Sequence, residues 1–191
     1  MKHSVVLIAA LVFGFTVASE ATEKDRWSEA EKTIVRVTER DFPNIPERVR
    51  IVLRKLKCLV PQPGEKLAAQ EPYMNVVSGQ LARAGQVDWV ILCSSGGQSS
   101  IHVVWGGVAR CPTPFAREPD RDYLQESGGS RIDFAREITV VGPKQILAPY
   151  GYFRERPPRV SHDAIADAFV GKASVRHYCD SGRWKELIGA D

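Results

Sequence analysis

The stretch YMNVVSGQLARAGQVDWVILCSSGGQSSIHVVW, Tyr73 to Trp105, decides the fold. Its apolar residues fall into three runs, Tyr73 to Ser78, Val87 to Cys93 and Ser100 to Trp105, rich in Val, Ile and Trp. Gly79, Gly85, Gly96 and Gly97 separate the runs. Branched and aromatic side chains suit a pleated surface and glycine suits tight turns, so the spacing predicts consecutive antiparallel strands, the last two forming a hairpin near Gly96 and Gly97.

On the N-terminal side the period is helical. In DRWSEAEKTIVRVTERDF, Trp27, Ala30, Ile34 and Val37 recur at spacings of three and four. A second helix starts at Pro46, carries Val49, Val52, Leu53, Leu56 and Leu59 as one apolar stripe, and is stopped by Pro61 and Pro63. Its remaining circumference holds Arg48, Arg50, Arg54, Lys55 and Lys57, a solvated face or a contact for an anionic partner.

On the C-terminal side, Cys111 to Gly129 reads as a long loop, rich in proline, glycine and charge. Ile132, Phe134, Ile138 and Val140 resume an even-numbered apolar pattern, and GPKQILAPYG predicts one more short strand. RERPPR, Arg154 to Arg159, is a proline-stiffened basic connector. Ser161 then caps a short helix in which Ile165, Ala166 and Phe169 share a face, with Asp163 in its first turn. ASVRHYC and RWKELIG make a last hairpin around Asp180, Ser181 and Gly182. The expected class is α+β: two N-terminal helices, a central antiparallel sheet, a short helix and a C-terminal β-hairpin.

A length of 191 residues, 43% of them hydrophobic and 26% charged, fits one globular domain. The opening MKHSVVLIAALVFGFTVASEATEK reads as a signal peptide over residues 1–21, leaving an exported domain over residues 22–191. Its apolar run, Val5 to Val17, is about 13 residues against the roughly 20 needed to span a bilayer. No later stretch is apolar enough to cross a membrane, so no transmembrane segment is expected in the mature chain. A formal net charge of +3 is too mild to imply nucleic acid.

Cys58, Cys93, Cys111 and Cys179 form an even set in a chain addressed to an oxidising compartment, periplasmic or secreted. Two disulfides are expected. Cys93 lies near the hairpin turn and Cys111 beyond the far end of the partner arm, farther apart than the Cα separation of about 7 Å at which bridging fails. The preferred pairing is Cys58 with Cys93 and Cys111 with Cys179. No two cysteines share a short metal-ligand spacing, so neither zinc nor any other cofactor is expected.

Within the opening stretch, Gly79, Gly85, Asp88 and the strand WVIL resemble the start of an FG-GAP or integrin-like propeller blade. In that family an aspartate-rich loop binds calcium, which takes about six to eight oxygen ligands. Here Gln80, Ala82, Arg83, Ala84 and Gln86 fill the loop, and Asp88 is its one carboxylate. The expectation is a turn, not a calcium site. A longer resemblance, carried by NVVSGQLARAGQVDWVILCS, PPRVSHDAIADAF and KASVRHYCDSGRWKELIGAD, is to short exported bacterial proteins of unknown function. It implies a periplasmic or secreted domain and supplies no catalytic residue.

The candidates for chemistry are His102, His162 and His177. His162 and Asp163 form the dyad that metal-dependent phosphohydrolases join to further ligands, but no second helical ligand motif accompanies it. Cys93 would be a nucleophile beside His102 only as a free thiolate, which a disulfide forbids. Neither CSSGGQSS nor ESGGS matches the nucleophile elbow G-x-S-x-G. Trp89, Trp105, Tyr150, Tyr152, Phe153, Tyr178 and Trp184 supply aromatic area, and YGYF beside RERPPR places Tyr150 and Tyr152 near Arg154 and Arg156. The resulting expectation is a non-enzymatic domain that binds a protein or an envelope glycan through Cys111–Gly129 and Tyr150–Arg159. The alternative is a cell-envelope hydrolase using His102 or the His162 and Asp163 pair.

Overall fold

The structure is a computed structural model and describes residues 16–64, 73–108, 111–147 and 160–189. In chain order it contains α1 (Thr16–Thr33), β1 (Arg36–Val37), a 3-10 turn (Glu39–Asp41), α2 (Glu47–Leu56), β2 (Val60–Pro61), β3 (Val76–Gly79), β4 (Asp88–Ser95) and β5 (Gln98–Val104). There follow β6 (Phe115–Pro119), a second 3-10 turn (Asp120–Tyr123), β7 (Leu124–Glu126), β8 (Ile132–Phe134), β9 (Arg136–Val141), α3 (Pro143–Leu147), β10 (Ala164–Phe169), β11 (Ala173–Asp180) and β12 (Arg183–Gly189). Most of the expected signal peptide lies outside the described residues, and α1 runs through the region where cleavage was expected. Among the described residues no helix is long and apolar enough to cross a membrane.

The described residues form two four-stranded antiparallel sheets, β3-β4-β5-β6 and β9-β10-β11-β12, and the short pairs β1-β2 and β7-β8. Val90, Leu92, Ile101 and Val103 of the first sheet meet Ile138 and Ile165 of the second in one core. The other face of β4 carries Ile91 and Cys93, which pack with Val49 and Leu53 of α2. β4 is therefore buried on both faces, which is why WVIL reads as an unbroken apolar run and not as an alternation.

Two hairpins have the chemistry their turns require. Ser95 pairs with Gln98 around Gly96 and Gly97, whose φ values are 61° and 75°. Asp180 pairs with Arg183 around Ser181 and Gly182, at φ 51° and 81°. Two consecutive positive φ values match the right-handed twist of the flanking strands.

The sheets approach each other at β3 and β9. Buried Asn75, itself at φ 69°, accepts the Ile138 N–H through Oδ1 at 2.8 Å and donates through Nδ2 to the carbonyls of Pro61 and Arg136. At the far end of β3 a Cβ on Gly79 would lie 2.6 Å from Val140 Cγ1, so only glycine permits this approach.

Both N-terminal helices end earlier than their spacing predicts: α1 stops at Thr33 and Val37 lies in β1, and α2 stops at Leu56 while Leu59 bridges to Ser94. Three further expectations are corrected. Residues 164–169 are a strand and not a helix: β10 is paired along its length with β9 on one side and β11 on the other. The backbone bonds available from both neighbours outweigh the helix preference of its alanines. PKQIL is the single helical turn α3 and not a strand; Pro143 suits its start, and Gln145 Oε1 accepts the Gly142 N–H at 3.1 Å. Cys111–Gly129 is not a plain loop, because it contains β6, the second 3-10 turn and β7. The mixed α and β class and its antiparallel sheets hold, with strands dominating.

The cysteines join as Cys58–Cys93 and Cys111–Cys179, with Cα separations of 5.2 and 5.9 Å. The first ties the end of α2 to β4; the second ties the start of the Cys111–Gly129 segment to β11.

Candidate functional site

Strand parity builds the site. On β9, Arg136 has the same parity as Ile138, so it points into the core; on β10, Asp167 has the parity of Ile165, and on β11, His177 pairs directly with Ile165. These polar side chains share the inner face of the second sheet, and Glu186 of β12, opposite His177, extends the row. Facing them are Ala116 and Glu118 of β6 and Asp122 and Tyr123 of the second 3-10 turn. Between the two walls lies a cavity of about 430 Å³, completed at one end by Phe169, Ala173 and Val175.

The turn that carries Asp122 and Tyr123 is anchored from below. Asp120, wholly buried, receives a hydrogen bond from Arg36 Nη2 at 2.7 Å and another from Ser94 Oγ. A carboxylate paired in this way fixes the backbone from which the neighbouring side chains project.

At the cavity floor the Arg136 guanidinium is fully buried. Nε and Nη2 donate to Asp167 Oδ1 and Oδ2 at 2.9 and 2.7 Å, Nη1 to the oxygen atoms of Ser99, and Nη2 to the Ala116 carbonyl. Every N–H of the group is used. The Tyr123 ring lies over it, with the guanidinium carbon 4.5 Å from the ring centroid.

Burial alone would raise the Asp167 carboxyl, but the hydrogen bonds and the charge of Arg136 hold it below the usual carboxylate value. Burial alone would lower Arg136, and Asp167 more than offsets it, so the guanidinium is held above its ordinary value. Burial, then the negative charge of Asp167, push the Tyr123 phenol up to about 12.

His177 is 3% exposed and its ring nitrogens make no hydrogen bond. Nε2 lies 3.8 Å from Asp167 Oδ2, and Nδ1 lies 3.5 Å from Glu186 Oε1. Phe115 packs edge-on to the imidazole and stacks on Trp184, which stacks in turn on Trp105. This aromatic column lies behind His177, on the side of the Cys111–Cys179 bond.

The sequence candidates are distributed differently. His102 sits on β5 opposite Ile91, on the α2 side of the first sheet, with Nε2 3.1 Å from Ser100 Oγ; burial lowers its pKa. His162 Nδ1 is 2.9 Å from the Asp163 carbonyl oxygen, while the Asp163 carboxylate accepts the Gln80 N–H at 2.8 Å. Neither His102 nor His162 lines the cavity between the sheets, and of the three histidines only His177 does. Tyr150, Tyr152, Arg154 and Arg156 lie outside the described residues. In the basic cluster, Arg50 donates to the carbonyls of Glu39, Phe42 and Pro43, Arg54 pairs with Glu47, and Arg48 donates to the Val87 carbonyl. Their side chains hold the chain around α2.

Asp88, the lone carboxylate of the blade-like loop, is buried and saturated by N–H donors. Oδ2 accepts from Leu81 and Ala82, each at 3.0 Å, and Oδ1 accepts from Gln86 Nε2 and the Gly106 N–H at 2.7 and 2.8 Å. Backbone and amide donors occupy the places where a cation would sit. Among the described residues no three His, Cys, Asp or Glu side chains are grouped so as to hold a metal ion.

Sequence reading passed over Arg136, Asp167, Tyr123 and Glu186. The signal for Arg136 was its shared parity with Ile132, Phe134, Ile138 and Val140; a charge on the apolar parity of a strand calls for a buried partner. No family model, curated protein or solved structure matches the chain.

Proposed function

We propose that the protein is an exported, non-enzymatic binding domain that takes a protein segment or a cell-envelope component into the cleft between its two sheets. The observation that carries this reading is the cavity of about 430 Å³, because one of its walls comes from the Cys111–Gly129 segment. Ala116, Glu118, Asp122 and Tyr123 of that segment face rigid strands, the arrangement in which a small set of polar groups within an apolar wall orients a ligand. Two disulfides and the signal-like opening support a periplasmic or secreted address, and the likeness to short exported bacterial proteins points the same way. Tyr150, Tyr152, Arg154 and Arg156 stand as a second contact surface.

The test is a titration of the isotopically labelled, oxidised protein with soluble cell-wall fragments and with envelope peptides, read residue by residue by NMR. Shifts grouped at Ala116, Glu118, Val175 and His177, abolished by Val175→Trp, are expected. Turnover of any such probe, lost on replacing His102 or His162, would instead establish the hydrolase reading. Alanine at Tyr152 and Arg154 separates the connector from the cleft: unchanged binding removes the second surface alone.

A further inference from the structure

We infer that two copies of the chain pair through the outer edge of β12, antiparallel about a two-fold axis at Leu187, so that their four-stranded sheets join into one. This goes beyond the cleft and does not depend on what the cleft binds.

The first support is an open backbone edge. β3, β6, β9 and β12 are the edges of the two sheets. β3 and β9 meet each other, with Asn75 Oδ1 accepting the Ile138 N–H. β6 shifts register against β5 between Ser99 and Ile101 and ends at Pro119, two features that blunt an edge. β12 has neither. Asp180 and Arg183 close a two-residue turn and are its hydrogen-bonded pair. Alternation along the ladder then turns the N–H and C=O groups of Trp184, Glu186 and Ile188 away from β11. Among the described residues nothing bonds to them from outside the sheet.

The second support is a side chain. Ile188 is 84% exposed, the most open large apolar side chain among the described residues. It lies opposite Val175, on the cleft-facing side of β12. A strand laid against the edge bonds to the Ile188 backbone and shields its side chain in one step.

The charges select the occupant and the register. A two-fold axis normal to the sheet keeps each face on its own side, so residues of like parity oppose one another. An axis at Lys185 or at Glu186 sets like charges face to face, and one at Trp184 sets Arg183 against Lys185. With the axis at Leu187, Leu187 meets its own copy, Lys185 meets Gly189 and Glu186 meets the second copy's Ile188. The Glu186 carboxylate does not obstruct this, because it already turns toward His177 Nδ1 at 3.5 Å. Glu186 and Ile188 both have outward backbone groups, so the pair forms in both directions; an axis at Ile188 forfeits it. The second copy's Ile188 then stands beside Glu186 at the lip of the cleft.

The experiment is sedimentation velocity on the oxidised protein from about 10 µM to about 1 mM, the range that suits an interface this small. A dimer that grows with concentration is expected. Ile188→Glu sets a carboxylate against Glu186 of the second copy and is expected to abolish the dimer with an unchanged circular dichroism spectrum, since the side chain is exposed. Leu187→Cys reads the register: facing residues that are not hydrogen-bonded to each other stand about 4.5 Å apart at Cα, within disulfide reach. Peptide mapping is expected to recover a bond between the two introduced thiols, and none in Lys185→Cys. A monomer at every concentration, a dimer indifferent to Ile188→Glu, or a dimer that Leu187→Cys does not link would each overturn the assignment. A monomer whose β12 amides gain exchange protection only on adding an envelope peptide would give the edge to a foreign strand and overturn it as well.

Discussion

Arg136 and Asp167 form a bidentate pair in the protein interior, Nε to Oδ1 at 2.9 Å and Nη2 to Oδ2 at 2.7 Å, joining β9 to β10 below the cleft. Removing one partner strands the other charge. Asp167→Asn is expected to cost about 3–5 kcal/mol, and the double variant R136M/D167L much less than the sum of its single changes. Urea denaturation of the four proteins of the cycle measures this; additive losses would contradict the pairing.

Asp88 gathers four N–H donors, so its role is to hold the Gln80–Gln86 loop against the Gly106 turn. Asp88→Asn puts an amide against those donors and is expected to cost about 2–3 kcal/mol. Calcium at millimolar level and EDTA are both expected to leave the melting temperature of the wild-type protein unchanged. A calcium-dependent rise in that temperature would reverse this account of the loop.

Gly79 tests the contact between sheets. A methyl group there meets Val140 Cγ1 at 2.6 Å, so Gly79→Ala is expected to lose about 1–3 kcal/mol by overpacking. Val140→Ala opens the space that the new methyl needs. The pair G79A/V140A is expected to be more stable than the two losses added together, and thermal melts decide it.

Each disulfide closes a long loop. With the bonded cysteines 35 and 68 positions apart in sequence, chain entropy gives about 4 kcal/mol for each bond. Replacing either pair by alanine is expected to lower the urea midpoint clearly. Peptide mapping under non-reducing conditions should recover Cys58 with Cys93 and Cys111 with Cys179; any other pairing would contradict the structure.

Acid should destabilise the protein in two stages. Burial holds His102 below 6.5, so the unfolded chain binds a proton first and stability falls as the pH drops below 6.5. The Asp167 carboxyl is held below 3.8; its contribution is complete above that value and is lost as the pH falls through the lower folded one. His102→Gln is expected to flatten the first stage and leave the second, as melting temperatures from pH 8 to pH 3 would show.

Three strands of the first sheet, β3, β4 and β5, were legible because glycines and branched residues mark them without competition from helix formers. The Ala164–Phe169 segment was not, since SHDAIADAF offers a helix cap, three alanines and a helical spacing of its larger residues. Only its two neighbours in the sheet decide for a strand, and they are far along the chain. That one misreading hid the candidate site as well. Read as a strand, the segment puts Asp167 on the parity of Ile165 and Phe169, the buried acid that Arg136 needs. The cleft itself was beyond reading from the chain, because its walls come from segments that meet only through the packing of two sheets. Asp120 shows the same limit: nothing local tells that its carboxylate is buried against Arg36.

The Cys111–Cys179 bond lies beside the aromatic column, at one end of the cleft, and Phe169 and Ala173 border the other. The two walls therefore behave like the legs of a pair of calipers, riveted on the cysteine side. The bond restrains any widening between the walls on its own side, and the Phe169 end has no such tie among the described residues. The bond thus sets the spacing of the two walls on its side as well as adding to the stability of the fold.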